Sequence, residues 1–170
     1  MDENYGKVFT YIVGIIFILI VPVMLIAQKM DNVVQTYVDN AAIEFIDKAR
    51  VTGYISKDSY LEFTEQLNNT TYLYDVKVEH YSKQAIPIYN NTTFTGNYNI
   101  DYVVSYDKEI EETLFDNDLN YNMKNGDYIK VIIKNKDKTL GSKLYSFFNK
   151  GANINTIYTI YGGYVGNTPE

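Results

Sequence analysis

Residues 8–27 form an uncharged, largely apolar run of twenty after a seven-residue leader. At roughly 1.5 Å per helical residue the run reaches about 30 Å, the thickness of a bilayer's hydrocarbon core, and predicts a transmembrane helix. The pattern then changes without a break. No Gly or Pro occurs from Val23 to Thr52, and Val34, Tyr37, Val38, Ala41, Ala42, Phe45 and Ala49 recur at spacings of three and four. This is one helical stripe, with Thr36, Asp39, Asn40, Asp47 and Arg50 expected on the opposite, solvated side. Ile43 is apolar on that polar side, either simply exposed or a contact for a neighbouring subunit. Gly53 predicts the helix's C-terminal stop. The expectation is one helix from about residue 8 to 52, with Pro22 removing a backbone hydrogen bond and bending the apolar part.

The remainder alternates between short helices and strands. Ser59-Tyr-Leu-Glu62 has the form of a capping box, and Tyr60, Phe63 and Leu67 follow at helical spacing, predicting a helix over 57–68. From Tyr72 to Tyr81 the period switches to two, with Tyr72, Tyr74, Val76 and Val78 on one face. Residues 82–97, with Pro87, Gly96 and many Asn and Thr, predict a loop with at most a short hairpin. Tyr98–Tyr106 reads as extended and Asp107–Phe115 as helical, with acids in its first turn. Asn125-Gly126 is a turn signal, and Asp127–Lys134 alternates with Ile129, Val131 and Ile133 inward. A helix over 139–149 closed by Gly151, then a strand Ile154–Tyr161 ending at Gly162-Gly163, complete the chain. The class is α+β: one long helix laid across an antiparallel sheet of three to five strands, with no repeat and no second globular domain.

Composition narrows the function classes. The net charge is −6, and beyond residue 27 there are 14 basic residues to 19 acidic, which disfavours nucleic-acid partners. Without Cys there are no disulfides, thiol nucleophiles or thiolate metal sites. His80 is the only histidine, so no multi-imidazole site can form, and alternation makes it a half-exposed strand residue. Asp107, Glu109, Glu111 and Glu112 are spaced as a solvated helix start rather than a catalytic carboxylate pair. Asp116-Asn-Asp118-Leu-Asn120-Tyr-Asn122, with Asp127 at the twelfth position, starts like a calcium loop. Tyr121 replaces the needed glycine and Lys124 sits at a ligand position, which favours a plain polar turn. Asn69-Thr-Thr and Asn91-Thr-Thr match glycosylation acceptors at the frequency expected of an Asn- and Thr-rich chain. Of the sixteen tyrosines beyond the apolar run, most suit a half-buried sheet face, with Tyr158, Tyr161 and Tyr164 the expected exposed group. No catalytic, cofactor or metal residues are assigned, and no enzyme is expected. The apolar run exceeds the usual signal-peptide length and follows an acidic leader, so an uncleaved anchor is expected.

An apolar helix running into an amphipathic segment and then a small α+β head resembles the type IV pilin layout. The stretch from Met30 through Ile55, the pattern Tyr121-x-Met123-x-x-Gly126-Asp127-Tyr128-Ile129, and Tyr161-Gly-Gly-Tyr-Val165 resemble TadE-like minor pilins of Gram-positive tight-adherence systems. Position 11 is Tyr11, where pilins carry a Glu. The resemblance implies a non-enzymatic component with a leader (1–7), a single-pass anchor (8–27), an amphipathic extension (28–53) and an extracellular head (54–170). Its partners would be the membrane, other pilin-like subunits or a pilus or secretion platform protein, with oligomers possible. Pro22, Val34, Tyr37, Val38, Ala41, Ile43, Phe45 and Ala49 are the packing candidates. The alternative is an envelope binding module whose head captures a peptide or polysaccharide.

Overall fold

The computed structural model describes residues 2–148 and 157–168. Its first element, α1 (Asp2–Thr52), is one helix of 51 residues, about 77 Å long, and it continues through Pro22. Gly53, at φ 79°, ends it with its N–H on the Ala49 carbonyl at 2.9 Å, the left-handed stop that only glycine adopts cheaply.

Burial divides α1 at the end of the apolar run. The most apolar window of the helix packs against nothing in the chain, and Phe9, Ile12, Ile15, Phe17, Ile18 and Leu19 are all exposed. In water each such side chain would forgo roughly 1.5–3 kcal/mol of burial free energy. Ala27 is the first buried hydrophobic residue of α1. From there Val38, Ala41, Ala42, Phe45, Ile46 and Ala49 sit at 0–4% exposure in the protein's core.

After β1 (Tyr54–Ile55) comes α2 (Lys57–Asn68), whose buried Tyr60 and Phe63 meet Phe45. The Phe45 and Phe63 rings stack with centroids 4.4 Å apart. The capping box lies one turn earlier than the Ser59/Glu62 pattern suggests: Ser56 is the cap, and its hydroxyl and that of Ser59 each take the other's backbone N–H.

The main sheet is antiparallel, in the order β3-β2-β5-β6, from β2 (Tyr74–Asn90), β3 (Thr93–Tyr106), β5 (Tyr128–Asn135) and β6 (Tyr158–Tyr164). Between β3 and β5 lie α3 (Asp107–Glu111), a π-helical turn (Glu112–Asp116) and β4 (Tyr121–Asn122), which pairs with β1. The helix α4 (Leu140–Phe148) follows β5. Val78, Ile129, Val131 and Ile133 are fully buried and, with the buried face of α1, form the core.

Three expectations are corrected. Residues 82–97 are not a loop: β2 and β3 pair from Glu79↔Tyr106 out to Asn90↔Thr93, with a register shift between Pro87 and Tyr89. Gly162-Gly163 does not end the last strand but pairs inside it, opposite Lys130 and Ile129. The strand itself begins at Tyr158, and residues 154–156 and Gly151 lie outside the described residues.

Candidate functional site

The stem is fastened to the rest of the fold by polar residues, three of which (Asp39, Asp47 and Arg50) periodicity placed in solvent. Near the apolar run, buried Asp31 accepts from Tyr72 Oη at 3.0 Å and Thr139 Oγ1 at 2.6 Å. Further along, Asp39 Oδ1 accepts from Gln35 Nε2 at 2.8 Å and Thr159 Oγ1 at 2.5 Å. Near the helix end, Arg50 Nη1 pairs with Asp47 at 2.8 Å while its Nε donates to the Tyr164 carbonyl at 2.9 Å. Tyr161 Oη completes this third seam on Asp47 at 3.1 Å. Asp39, Asp47 and Arg50 are therefore half-buried tethers, not solvated residues. β6 thus runs alongside α1 from residue 35 to residue 50, and the strands lie along the stem axis.

The packing candidates separate accordingly. Val38, Ala41, Phe45 and Ala49 are core, Val34 is half-buried, and Tyr37 and Ile43 are exposed at 42% and 39%. Tyr37 therefore leaves the stripe that spacing assigned it, and buried Ile46 joins it. Because residues 38–49 supply six of the nineteen core residues, the head is not separable from the helix at residue 54.

His80 is 4% exposed, contrary to the alternation reading, because it faces inward over a polar corner. Its Nε2 lies 3.0 Å from Asp127 Oδ2 and its Nδ1 2.8 Å from Tyr121 Oη. Asp127 also accepts from the backbone N–H of Lys83 and of Lys124, both at 2.8 Å. The tautomer that satisfies every group has Nε2–H donating to Asp127 and Tyr121 O–H donating to Nδ1. Burial raises the Tyr121 hydroxyl's pKa, and a bond from Ser105 works against that rise. A His–Asp pair invites a catalytic reading, but both ring nitrogens are committed, and among the described residues the one hydroxyl that meets the imidazole is that of half-buried Tyr121. The arrangement ties β2, β4 and the turn before β5 together.

The same corner disposes of the calcium pattern. Both Asp127 oxygens are occupied from inside, and Asp118, at φ 52°, turns outward to Lys57 Nζ at 2.7 Å. That lysine holds the Asp118 carboxyl below the usual carboxylate range. No group of three or more potential ligands gathers among the described residues. In the acidic cluster Glu111, exposed itself, accepts from Tyr60 Oη at 2.6 Å. Burial and that carboxylate push the Tyr60 hydroxyl far above the ordinary phenol range.

The sheet's outer face carries a row of tyrosines. Register places Tyr81, Tyr128 and Tyr164 side by side, with ring centroids 6.0 and 5.1 Å apart. With Tyr102 they line a cleft of about 230 Å³. Lys130 Nζ sits 5.1 Å over the Tyr81 ring and 2.8 Å from Glu79, which also accepts from Tyr81 Oη at 2.7 Å. These bonds lower the Glu79 pKa and raise that of Lys130. Of the tyrosines expected outside, Tyr158 and Tyr164 are exposed, whereas Tyr161 is turned in toward Asp47.

Beyond Tyr81, β2 has only β3 as a neighbour, so residues 82–103 form a two-stranded arm. It leaves the sheet at the level of Arg50, the end remote from the apolar run, and carries exposed Ile86, Ile88, Tyr89, Phe94, Tyr98 and Ile100. Its charges are Lys83 and Asp101 alone. The sequence reading took Tyr98–Tyr106 as extended and allowed a short hairpin before it, but missed the length of the pairing over 82–97, which Pro87 and Gly96 mask.

Compared with family models, curated proteins and solved structures, the chain matches none.

Proposed function

We propose that the chain is a membrane-anchored, non-enzymatic assembly component of the pilin-like kind, its head outside the cell. It works by helix packing in the bilayer and by head contacts beyond it. The observation that carries this reading is the unbroken α1: an apolar half long enough to cross a membrane continues, with no joint, into the core of the head. Such a rod transmits position, so a partner that grips the anchor also sets the height and rotation of the head. The three polar seams support the same reading, because they prevent the sheet from sliding along the stem. The arm, with apolar side chains exposed and only two charges, and the outer tyrosines supply surface for neighbours.

The test uses the exposed stem positions, which can change without disturbing the core. A photo-crosslinking residue at Tyr37 or Ile43 in the full chain is expected to capture a pilin-like subunit or a polytopic platform protein in cells. Absence of any crosslink at both positions and along the apolar run would refute assembly through the stem.

A second reading, an envelope binding module, rests on the four-tyrosine cleft. Aromatic faces with a few polar groups suit an extended peptide or a polysaccharide. It predicts that Tyr128→Ala abolishes capture by the full chain while crosslinking at the stem persists.

A further inference from the structure

We propose that α4 and the segment leading into it are a membrane-surface seat: a basic, part-apolar face that rests on anionic lipid headgroups beside the anchor. This inference rests on the anchored reading of α1.

Position is the first argument. The start of α4 is pinned to α1 where the apolar run stops. A Cβ on Gly141 would lie 3.5 Å from the Ala27 carbonyl carbon and would collide with the Asp31 carboxylate. Thr139 Oγ1, which also receives the Ser142 N–H at 3.1 Å, donates to Asp31, and the Leu140 N–H donates to Tyr72 Oη at 3.1 Å. If residues 8–27 fill the hydrocarbon core, α4 begins at headgroup level by construction.

Charge is the second argument, independent of the first. The chain is acidic, yet Lys134, Lys136, Lys138 and Lys143 are concentrated in ten residues here, all exposed, with Lys29 on the adjoining turn of α1. Among the described residues none of these five ammonium groups has a carboxylate within salt-bridge distance. The nearby acids do not cancel them: Asp31 is buried and hydrogen-bonded, leaving Asp137 and Asp75 against five lysines. Leu140 adds an apolar contact, 48% exposed at the start of the helix. Unpaired lysines with an exposed leucine beside a membrane span fit lipid phosphate better than solvent alone.

The experiment uses the full chain, which has no native Cys, with single nitroxide labels at Leu140→Cys, Phe17→Cys and Thr95→Cys. Each is reconstituted in phosphatidylcholine vesicles with and without phosphatidylglycerol. Collision with oxygen and with a water-soluble nickel chelate reads lipid against water. In anionic vesicles the label at 140 should be shielded from nickel, while that at 95 remains fully accessible. Lys136→Glu, Lys138→Glu and Lys143→Glu together should return it to water. At about a fivefold factor per lysine, the three shift the seated-to-lifted ratio roughly a hundredfold. A label at 140 as wet as that at 95, with the label at 17 in lipid, overturns the seat and leaves the anchor standing. A label at 17 in water overturns both. Shielding at 140 that neither neutral lipid nor the Glu substitutions reduce overturns the role given to the lysines.

Discussion

Replacing Asp127 by Ala should be among the most damaging single changes outside the apolar core. The carboxylate is 1% exposed and accepts three hydrogen bonds, from His80 Nε2 at 3.0 Å and from the Lys83 and Lys124 N–H groups at 2.8 Å each. Bonds to a charged acceptor contribute roughly 1.5–3 kcal/mol each, and their loss leaves two backbone donors and the imidazole Nε2–H without that acceptor. Water can reach the part-buried Lys83 and Lys124 sites, which places the total toward the lower end, about 3–5 kcal/mol. Against a usual domain stability of about 5–15 kcal/mol this is a large fraction. Asp127→Asn should be nearly as harmful, since its amide turns a second donor toward groups that already donate. The assay is urea unfolding of the detergent-solubilised full chain followed by near-ultraviolet circular dichroism of its 18 tyrosines. Asp118→Asn, which removes an exposed ion pair while keeping a residue that tolerates the φ of 52° there, is the control and should leave the midpoint unchanged. A cost for Asp127→Ala below about 1 kcal/mol would refute the view that this corner holds the turn to the sheet.

Other outcomes follow from particular contacts. Gly162→Ala should cost more than Gly163→Ala in the same unfolding assay. The first Cβ meets Lys130 Cβ at 2.6 Å and the fixed Ile129 carbonyl at 2.7 Å, the second only the movable Arg50 guanidinium. Phe63→Ala should cost about 3–5 kcal/mol, because it removes a buried ring stacked on Phe45. Glu79 binds its proton less readily folded than unfolded, so the stability it contributes is present above the ordinary carboxylate value of 4.5. That contribution is lost as pH falls through the folded value, and Glu79→Gln should flatten this acid limb of the midpoint-against-pH curve. Calcium or a chelator should leave the melting temperature where it was, because Asp127 is turned inward and Asp118 is held by Lys57.

The legible parts of this fold are those decided by local pattern. The stem could be read because apolar spacing, the lack of breakers and Gly53 agree over thirty residues. The strand β5 could be read because Ile129, Val131 and Ile133 recur at a spacing of two, with Tyr128, Lys130 and Lys134 between and beside them. What escaped reading was decided by partners distant in sequence. His80 looks half-exposed until Asp127, 47 positions away, is brought beneath it. Asp39, Asp47 and Arg50 look solvated until β6 arrives more than a hundred residues later. Gly162-Gly163 looks like a stop. Arg50 beside Gly163, and Lys130 with the Tyr128 ring beside Gly162, instead occupy the space side chains would need. The arm was hidden because Pro87, Gly96 and the Asn-rich turn outweigh a pairing that only β3 can supply.

The central claim is that α1 is a single rod from lipid into the head. It is tested most directly by the distance between nitroxides at Phe17→Cys and Val51→Cys, both exposed positions, in the full chain reconstituted in bilayers. A continuous helix places them about 51 Å apart, in one narrow distribution. A broad distribution centred well below that value, showing a joint near Gln28–Asp31, would contradict the account.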